Sequence, residues 1–309
     1  SHRAGGSQCW NGTLDEVRLR WTASSADWVA ADYATQHNPD FAVLGALEEL
    51  EPATTLDVKN FRRRLVVTFS GYAGAETLAN FPALVRIPAG SPLYHDCAAD
   101  GSDIRFADAE DRLVPHEVDV WNPNGESLVW VRVPRLAGTV TSLYLYYRHR
   151  GQTSTAVSAG DVWKSAGYLG VWHFSGSNAE STTNKFTGTN SSPAPGFTAA
   201  GPVGTAFNGD GKKYFMTPMA IWEGFEGTNF AYSAWVKADA VGHGRILSSK
   251  SVHTEEKGFE LTMQNAINKV MMGGPTNKQK IVEVPSLMED YVHLTAVYRD
   301  GGARLYVNG

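Results

Sequence analysis

Two carboxylates on an alternating stretch, Glu117-Val118-Asp119-Val120, are residues whose types and spacing could do chemistry in this chain of 309 residues. Successive side chains of a strand point to opposite faces, so Glu117 and Asp119 share one face. Such a pair can supply the general acid and the nucleophile of retaining glycoside hydrolysis. The pattern then stops. Trp121 and Asn122 follow, and Glu126 lies beyond Pro123-Asn124-Gly125. Without a further acid, the pair reads as part of a half-buried strand whose acids face solvent or a neighbouring arginine.

Other reaction chemistries find less. The chain has no Gly-x-Ser-x-Gly elbow, no HExxH pair and no glycine-rich loop opening a helix. His173 lies in an apolar stretch and reads as a packed histidine. Calcium has a modest case, because loop oxygens suit a hard cation. Asn208 and Asp210 of Asn-Gly-Asp-Gly are the candidate ligands, with Asp100 and Asp103 as a second pair. The competing reading makes all four turn formers that bond their own backbone. Trp222 and Phe225, in Trp-Glu-Gly-Phe-Glu-Gly, look loop-borne. They are the candidate ligand-binding residues, either as a platform for a sugar ring or as a protein contact. Cys9 and Cys97 form no metal-ligand pair. They read as small buried hydrophobes, with a bridge between them as the alternative in an oxidising compartment.

The elements that must position these residues are strands. Val17, Leu19 and Trp21 alternate with Arg18 and Arg20, and Leu65, Val67 and Phe69 share a face. Val129, Val131 and Val133 alternate with Leu128 and Trp130, while Leu143 to Tyr147 is apolar on both faces, as a covered central strand would be. Further strands are expected through 170–174, 204–207, 230–237, 245–248, 258–263, 268–272, 280–284, 291–299 and 303–307. The turns between them include Asn208-Gly209, Asp210-Gly211 and Asp300-Gly301-Gly302. Only Ser25 to Gln36, capped by Ser24 or Ser25, and one turn in Ala159 to Ser165 read as helix. The fold class is all-β, built of two β-sandwich modules with one short helix near the N-terminus.

Residues 168–309 resemble the concanavalin A-like, laminin-G-like jelly roll of bacterial surface proteins. The motifs are Tyr168-Leu-Gly-Val-Trp-His-Phe174, Gly204-Thr-Ala-Phe-Asn-Gly209, Ala231-Tyr-Ser-Ala-Trp-Val-Lys237, Val292-His-Leu-Thr-Ala-Val-Tyr298 and Leu305-Tyr-Val-Asn-Gly309. Residues 61–150 resemble a bacterial domain of unknown function often found beside such jelly rolls. Its marks are Phe81-Pro-Ala-Leu-Val85, Asp100-Gly-Ser-Asp-Ile-Arg-Phe106, Glu117-Val-Asp-Val-Trp121 and Val129-Trp-Val-Arg-Val-Pro134. Asn11-Gly-Thr-Leu-Asp-Glu-Val-Arg-Leu19, followed by Ser25-Ala-Asp-Trp28, looks like the closing strand and trailing helix of a laminin-G-like module.

These resemblances imply an order along the chain. Residues 1–41 are a closing strand and trailing helix, 42–60 a linker, 61–150 the domain of unknown function and 151–167 a second linker. Residues 168–309 are a jelly roll lacking its own closing strands, with 175–202 a long surface loop. The N-terminal strand then completes the 168–309 sheet in the same chain or in a neighbour, or belongs to a missing module. In jelly-roll glycoside hydrolases the acids lie on the jelly roll itself, whereas Glu117 falls outside it. The resemblance thus implies a non-enzymatic module of a large bacterial surface or secreted protein, mediating adhesion or recognition of a glycan or a surface protein. One alternative is a structural repeat self-associating through sheet edges by strand complementation. A jelly-roll glycosidase is the other. Nucleic acid is not an expected partner: 27 Lys and Arg against 32 Asp and Glu give a net charge of -5, and the basic residues are scattered. Nor is membrane insertion, since no run approaches the ~20 apolar residues of a span.

Overall fold

The computed structural model describes residues 10–49, 60–149, 158–186, 188–217, 229–239, 244–248, 260–264, 269–272, 280–283 and 290–309. The chain forms two compact units, Ser1–Val29 with Gly167–Gly309, and Ala30–Ala166. It opens with strand β1 (Asn11–Arg20) and helix α1 (Ala26–His37). The Ser25 hydroxyl accepts the Trp28 amide at 3.1 Å and caps the helix as its sequence requires.

The unit Ala30–Ala166 carries β2 (Ala42–Glu49), β3 (Phe61–Phe69), β4 (Leu78–Ile87), β5 (Arg105–Ala107), β6 (Leu113–Val114), β7 (His116–Val120), β8 (Ser127–Leu136), β9 (Thr141–His149) and helix α2 (Gly160–Lys164). They make a five-stranded sheet in the order β2-β3-β9-β5-β6 and a three-stranded sheet in the order β4-β8-β7. In the second sheet Phe81, Ala83 and Val85 pair with Val133, Val131 and Val129, all fully buried on one face. Its other face is apolar too, through Leu84, Leu128 and Trp130, so the alternation expected of a one-sided sheet is lost.

Parts of two stretches read from sequence as linkers are folded. Residues 42–49 form β2, in register with β3 through Val43 with Thr68 and Leu44 with Val67. A register shift between Leu44 and Leu47 interrupts the period of two, which hides the strand from a pattern search. Within 151–167, α2 buries Val162 and Trp163 completely, and Trp163 packs on Trp130 at 5.4 Å between ring centroids. This is the helical turn expected in Ala159 to Ser165. The first expected boundary also moves, because the last two turns of α1 belong to the unit Ala30–Ala166.

The other unit continues with β10 (Tyr168–Trp172), β11 (Thr189–Asn190), β12 (Gly196–Ala200), β13 (Thr205–Asp210), β14 (Phe215–Met216), β15 (Phe230–Ala238), β16 (Gly244–Ser248), β17 (Glu260–Gln264), β18 (Lys269–Met272), β19 (Lys280–Glu283), β20 (Val292–Arg299) and β21 (Gly302–Val307). Its large sheet runs β12-β13-β1-β15-β20-β21, with β10 also pairing β1. A second sheet runs β16-β17-β18-β19. One core joins the two sheets: Leu14, Leu19, Trp172, Phe207, Tyr232, Val236 and Leu294 from the first meet Ile246, Leu261 and Met263 from the second. This is a β-sandwich. The β20–β21 hairpin turns at Asp300 and Gly301, with φ of 49° and 76°, the double positive φ that a tight Asp-Gly turn uses.

β1 takes one of the places left open for the N-terminal strand. It lies inside the large sheet of its own chain, bonded along one edge to β15 and along the other to β13 and then β10. β1 is buried along nearly its whole length, Arg18 included, although alternation with Val17 and Leu19 would aim Arg18 outward. Trp21 falls beyond the strand and is exposed.

The Asn208-Gly209 turn is not formed. β13 continues through Asp210, with Asn208 opposite Thr13 and Gly209 opposite Gly12. Gly209 is there for closeness: a Cβ would sit 2.6 Å from the Trp10 carbonyl oxygen. Residues 175–202 are likewise no simple surface loop. They contain β11 and β12, and Glu180, Ser181 and Thr182 are buried.

Candidate functional site

Asn208 and Asp210 sit at the end of β13, both exposed. Asp210 Oδ1 accepts the amides of Lys212 and Lys213 at 3.0 and 2.9 Å, and its Oδ2 lies 3.5 Å from Lys213 Nζ. Asp100 Oδ1 accepts the Ser102 amide at 3.0 Å, and Asp103 Oδ1 the Ala98 amide at 2.8 Å. These three carboxylates shape their own turns. Trp222 and Phe225 lie outside the described residues, as does Cys9. Cys97 is a free, half-buried thiol whose pKa is pushed up by burial and by Asp103 and Asp96.

Glu117 accepts a hydrogen bond from Trp163 Nε1 at 2.6 Å. One of the two acids that could have served hydrolysis is thus tied to the packing of α2.

The structure assembles a different constellation, on β1. Its register against β15 shifts between Asp15 and Arg18, and Glu16 takes φ of 49°. This bulge turns Glu16 toward the residue that follows β10. His173 Nδ1 lies 2.8 and 2.9 Å from the two Glu16 carboxylate oxygens. Arg18 Nη2 donates to Glu16 Oε2 at 2.9 Å. Asp15 Oδ2 accepts the Val203 amide at 2.9 Å. Exposure is 0% for Asp15 and Glu16, 1% for Arg18 and 5% for His173.

Burial, and then the Glu16 charge beside it, raise the Asp15 pKa well above the usual carboxylate value, against the pull of the Val203 amide and His173. Burial also raises Glu16, but His173 and Arg18 more than offset it and leave its pKa lowered. An acid–histidine pair is the raw material of general acid–base catalysis. At these exposures it meets no solvent-borne substrate. The pair ties β1 to the residue that follows β10.

A second hub holds the excursion after β10. The Glu180 carboxylate accepts the amides of Val171, Thr182 and Phe186 and the Thr182 hydroxyl, at 2.7–3.3 Å. On the second sheet, Arg245 Nε lies 2.8 Å from Glu260 Oε1, both buried. Neither hub was foreseen. Glu16 and Arg18 were visible only as charges inside the otherwise apolar Leu14-Asp-Glu-Val-Arg-Leu19, and Glu180 gave no signal at all.

Residues 209–309 match the family model described as the concanavalin A-like lectin/glucanases superfamily, a laminin-G-type model. The C-terminal sandwich is laminin-G-like. Residues 100–190 match a domain of unknown function, DUF2341, which precedes it in the chain. No curated protein and no solved structure shows a match to the chain. The superfamily's name joins lectins and glucanases, so the match covers carbohydrate-binding modules and enzymes alike. Among the described residues no helix is long and apolar enough to cross a membrane.

Proposed function

We propose that this chain is a non-catalytic recognition module of a large secreted or surface protein, binding a glycan or a protein through loops carried on the laminin-G-like sandwich. The observation that carries this reading is the employment of the carboxylates in that sandwich. Asp15, Glu16, Glu180 and Glu260 are buried and bonded to amides, His173, Arg18 or Arg245. Retaining hydrolysis needs two carboxyl groups facing each other across a substrate cleft, ~5–5.5 Å apart. A sandwich whose charges serve its own register leaves recognition to its rim, where loops on a rigid scaffold commonly carry it.

Trp222 and Phe225 are the proposed contact residues, and an extracellular or cell-surface location follows from the usual setting of laminin-G-like domains. Calcium belongs to the reading at one place, the rim bearing Asn208 and Asp210. Binding of the purified chain to arrayed glycans and extracellular-matrix proteins tests the proposal, with the Trp222→Ala and Phe225→Ala variants alongside and EDTA added in parallel. Saturable binding that falls at least tenfold in either variant supports it. Release of reducing sugar from polysaccharide substrates, or binding indifferent to both substitutions, overturns it.

A further inference from the structure

Trp121 directly follows β7 in the unit Ala30–Ala166 and is half-buried on a loop. Its six-membered ring lies against the backbone of Gly101. A Cβ there would sit 2.5 Å from Cδ2 and Cε3, and φ is +69°, so the approach requires glycine. Tyr94, also half-buried, meets the indole edge-on, with 5.3 Å between ring centroids and 80° between planes. Two connections hold this pair, residues 88–104 and residues 121–126. Ser127 Oγ accepts the Asn122 amide at 2.7 Å and lies 2.7 Å from the Tyr94 hydroxyl. The Gly90 amide donates to the Pro123 carbonyl across the two connections. The rings are thus positioned before any ligand arrives, which lowers the cost of binding one.

The frame around the rings is polar. Asp100 and Ser102 flank Gly101, while Asn122 and Asn124 follow Trp121, and all four are exposed. The exposed large hydrophobics among the described residues are Trp21, Val43, Val140, Met216 and Val307, none of them on these connections. The core of a protein–protein contact is an apolar patch, and this rim has none. A pyranose asks for something else: an aromatic ring beneath its C–H face, and carboxylate, amide or hydroxyl groups for its own hydroxyls. Charge then sorts among sugars. Hydrogen bonds from Ser102 lower the Asp100 pKa and keep its carboxylate ionised. Arg86, at the end of β4, is already bonded to Glu126 and to the Gln36 carbonyl. An anionic sugar would meet a like charge here, and a neutral one would not.

We propose that this rim is a carbohydrate-binding site of the unit Ala30–Ala166, taking a neutral pyranose on the Trp121 ring with Asp100, Ser102 and Asn122 at its hydroxyls. The inference goes beyond the recognition reading, which concerns the laminin-G-like sandwich alone. It gives the chain two binding rims, one in each unit.

The test uses the full chain carrying Trp222→Ala and Phe225→Ala, so that the rim proposed for the laminin-G-like sandwich is silent. Its indole N–H signals are followed by two-dimensional NMR during titration with cellohexaose, xylohexaose, mannohexaose and chitohexaose, with polygalacturonate as the anionic probe. A further Trp121→Phe substitution assigns the Trp121 signal. The expected result is saturable movement of that signal with at least one neutral hexaose, and affinity about tenfold weaker in Trp121→Ala. Should Trp121→Ala fail to fold, the signal of the intact ring carries the test. A Trp121 signal unmoved by every neutral hexaose, or moved by polygalacturonate alone, overturns the proposal. The recognition reading keeps its own assay with Trp222 and Phe225 in place, so either can fail without the other.

Discussion

Asp15 and Glu16 are neighbours in β1 whose pKa values move in opposite directions, and the sign of each gives a testable consequence. Glu16 is lowered by His173 and Arg18 in spite of burial, so it contributes stability at neutral pH that is lost as pH falls through its folded pKa. Removing its charge by Glu16→Gln takes a buried anion away from Arg18 and His173. Breaking a buried pair this way costs about 3–5 kcal/mol, read as a lower midpoint in denaturant melts at pH 7. Asp15 is raised by burial and by Glu16, so its ionisation is a cost to the folded state above its unfolded value. The Asp15→Asn variant keeps an oxygen for the Val203 amide and should melt higher than wild type at pH 8. That advantage should shrink as pH falls toward 4, and a constant difference across the range would count against a charge effect. His116, in the other unit, is a third case. Burial first, then the Arg105 charge, lower its pKa to about 4. From an unfolded value near 6.5 this amounts to about 3 kcal/mol. That stability is full above pH 6.5 and drains as pH falls toward 4, and His116→Gln should flatten this limb of the pH–stability curve.

At the scale of elements, strands with a clean period of two were legible and those with interruptions were not. β3, β8, β9, β15 and β20 stand where their alternation or apolar runs placed them. So does α1, because its cap at Ser25 is a local signal. β2 was missed at its register shift, and β13 was cut short because Asn-Gly usually means a turn, whereas here Gly209 and Gly12 let two backbones approach. The candidate site was less legible still. Glu16 meets His173 across 157 positions of sequence, and no local pattern reports a partner that distant. The bulge that turns Glu16 leaves only a charged pair as its trace in the sequence. Gly12 gives the prediction proper to this scale. Gly12→Val should destabilise the laminin-G-like sandwich by at least about 2 kcal/mol, from a strained φ and a backbone clash. It should do so without altering the other unit, and amide exchange of β1, β13 and β15 against β3 and β9 separates the two effects.

At the scale of the whole molecule, the sequence suggested a chain of modules divided by linkers, and the structure shows one unit inserted in the sequence of the other. The laminin-G-like sandwich takes its central strand from before Ala30–Ala166 and the rest from after it. Such an arrangement makes the two units unequal. Ala30–Ala166 is continuous in sequence, has its own core of Leu65, Val67, Phe81, Val131, Leu145 and Trp163, and needs nothing from residues 1–29 for its sheets. Residues 167–309 alone would lack β1 at the middle of their large sheet. Expressed separately, residues 30–166 should unfold in a single cooperative transition with dispersed amide resonances. Residues 167–309 should be aggregated or molten, with dye-accessible apolar surface. A synthetic peptide of residues 9–29 should restore near-native dispersion to the second fragment, and a peptide with Glu16→Lys should not. If residues 167–309 instead fold alone as well as with the peptide, β1 is an accessory strand, and the charges it buries against His173 answer to something other than completing the sheet.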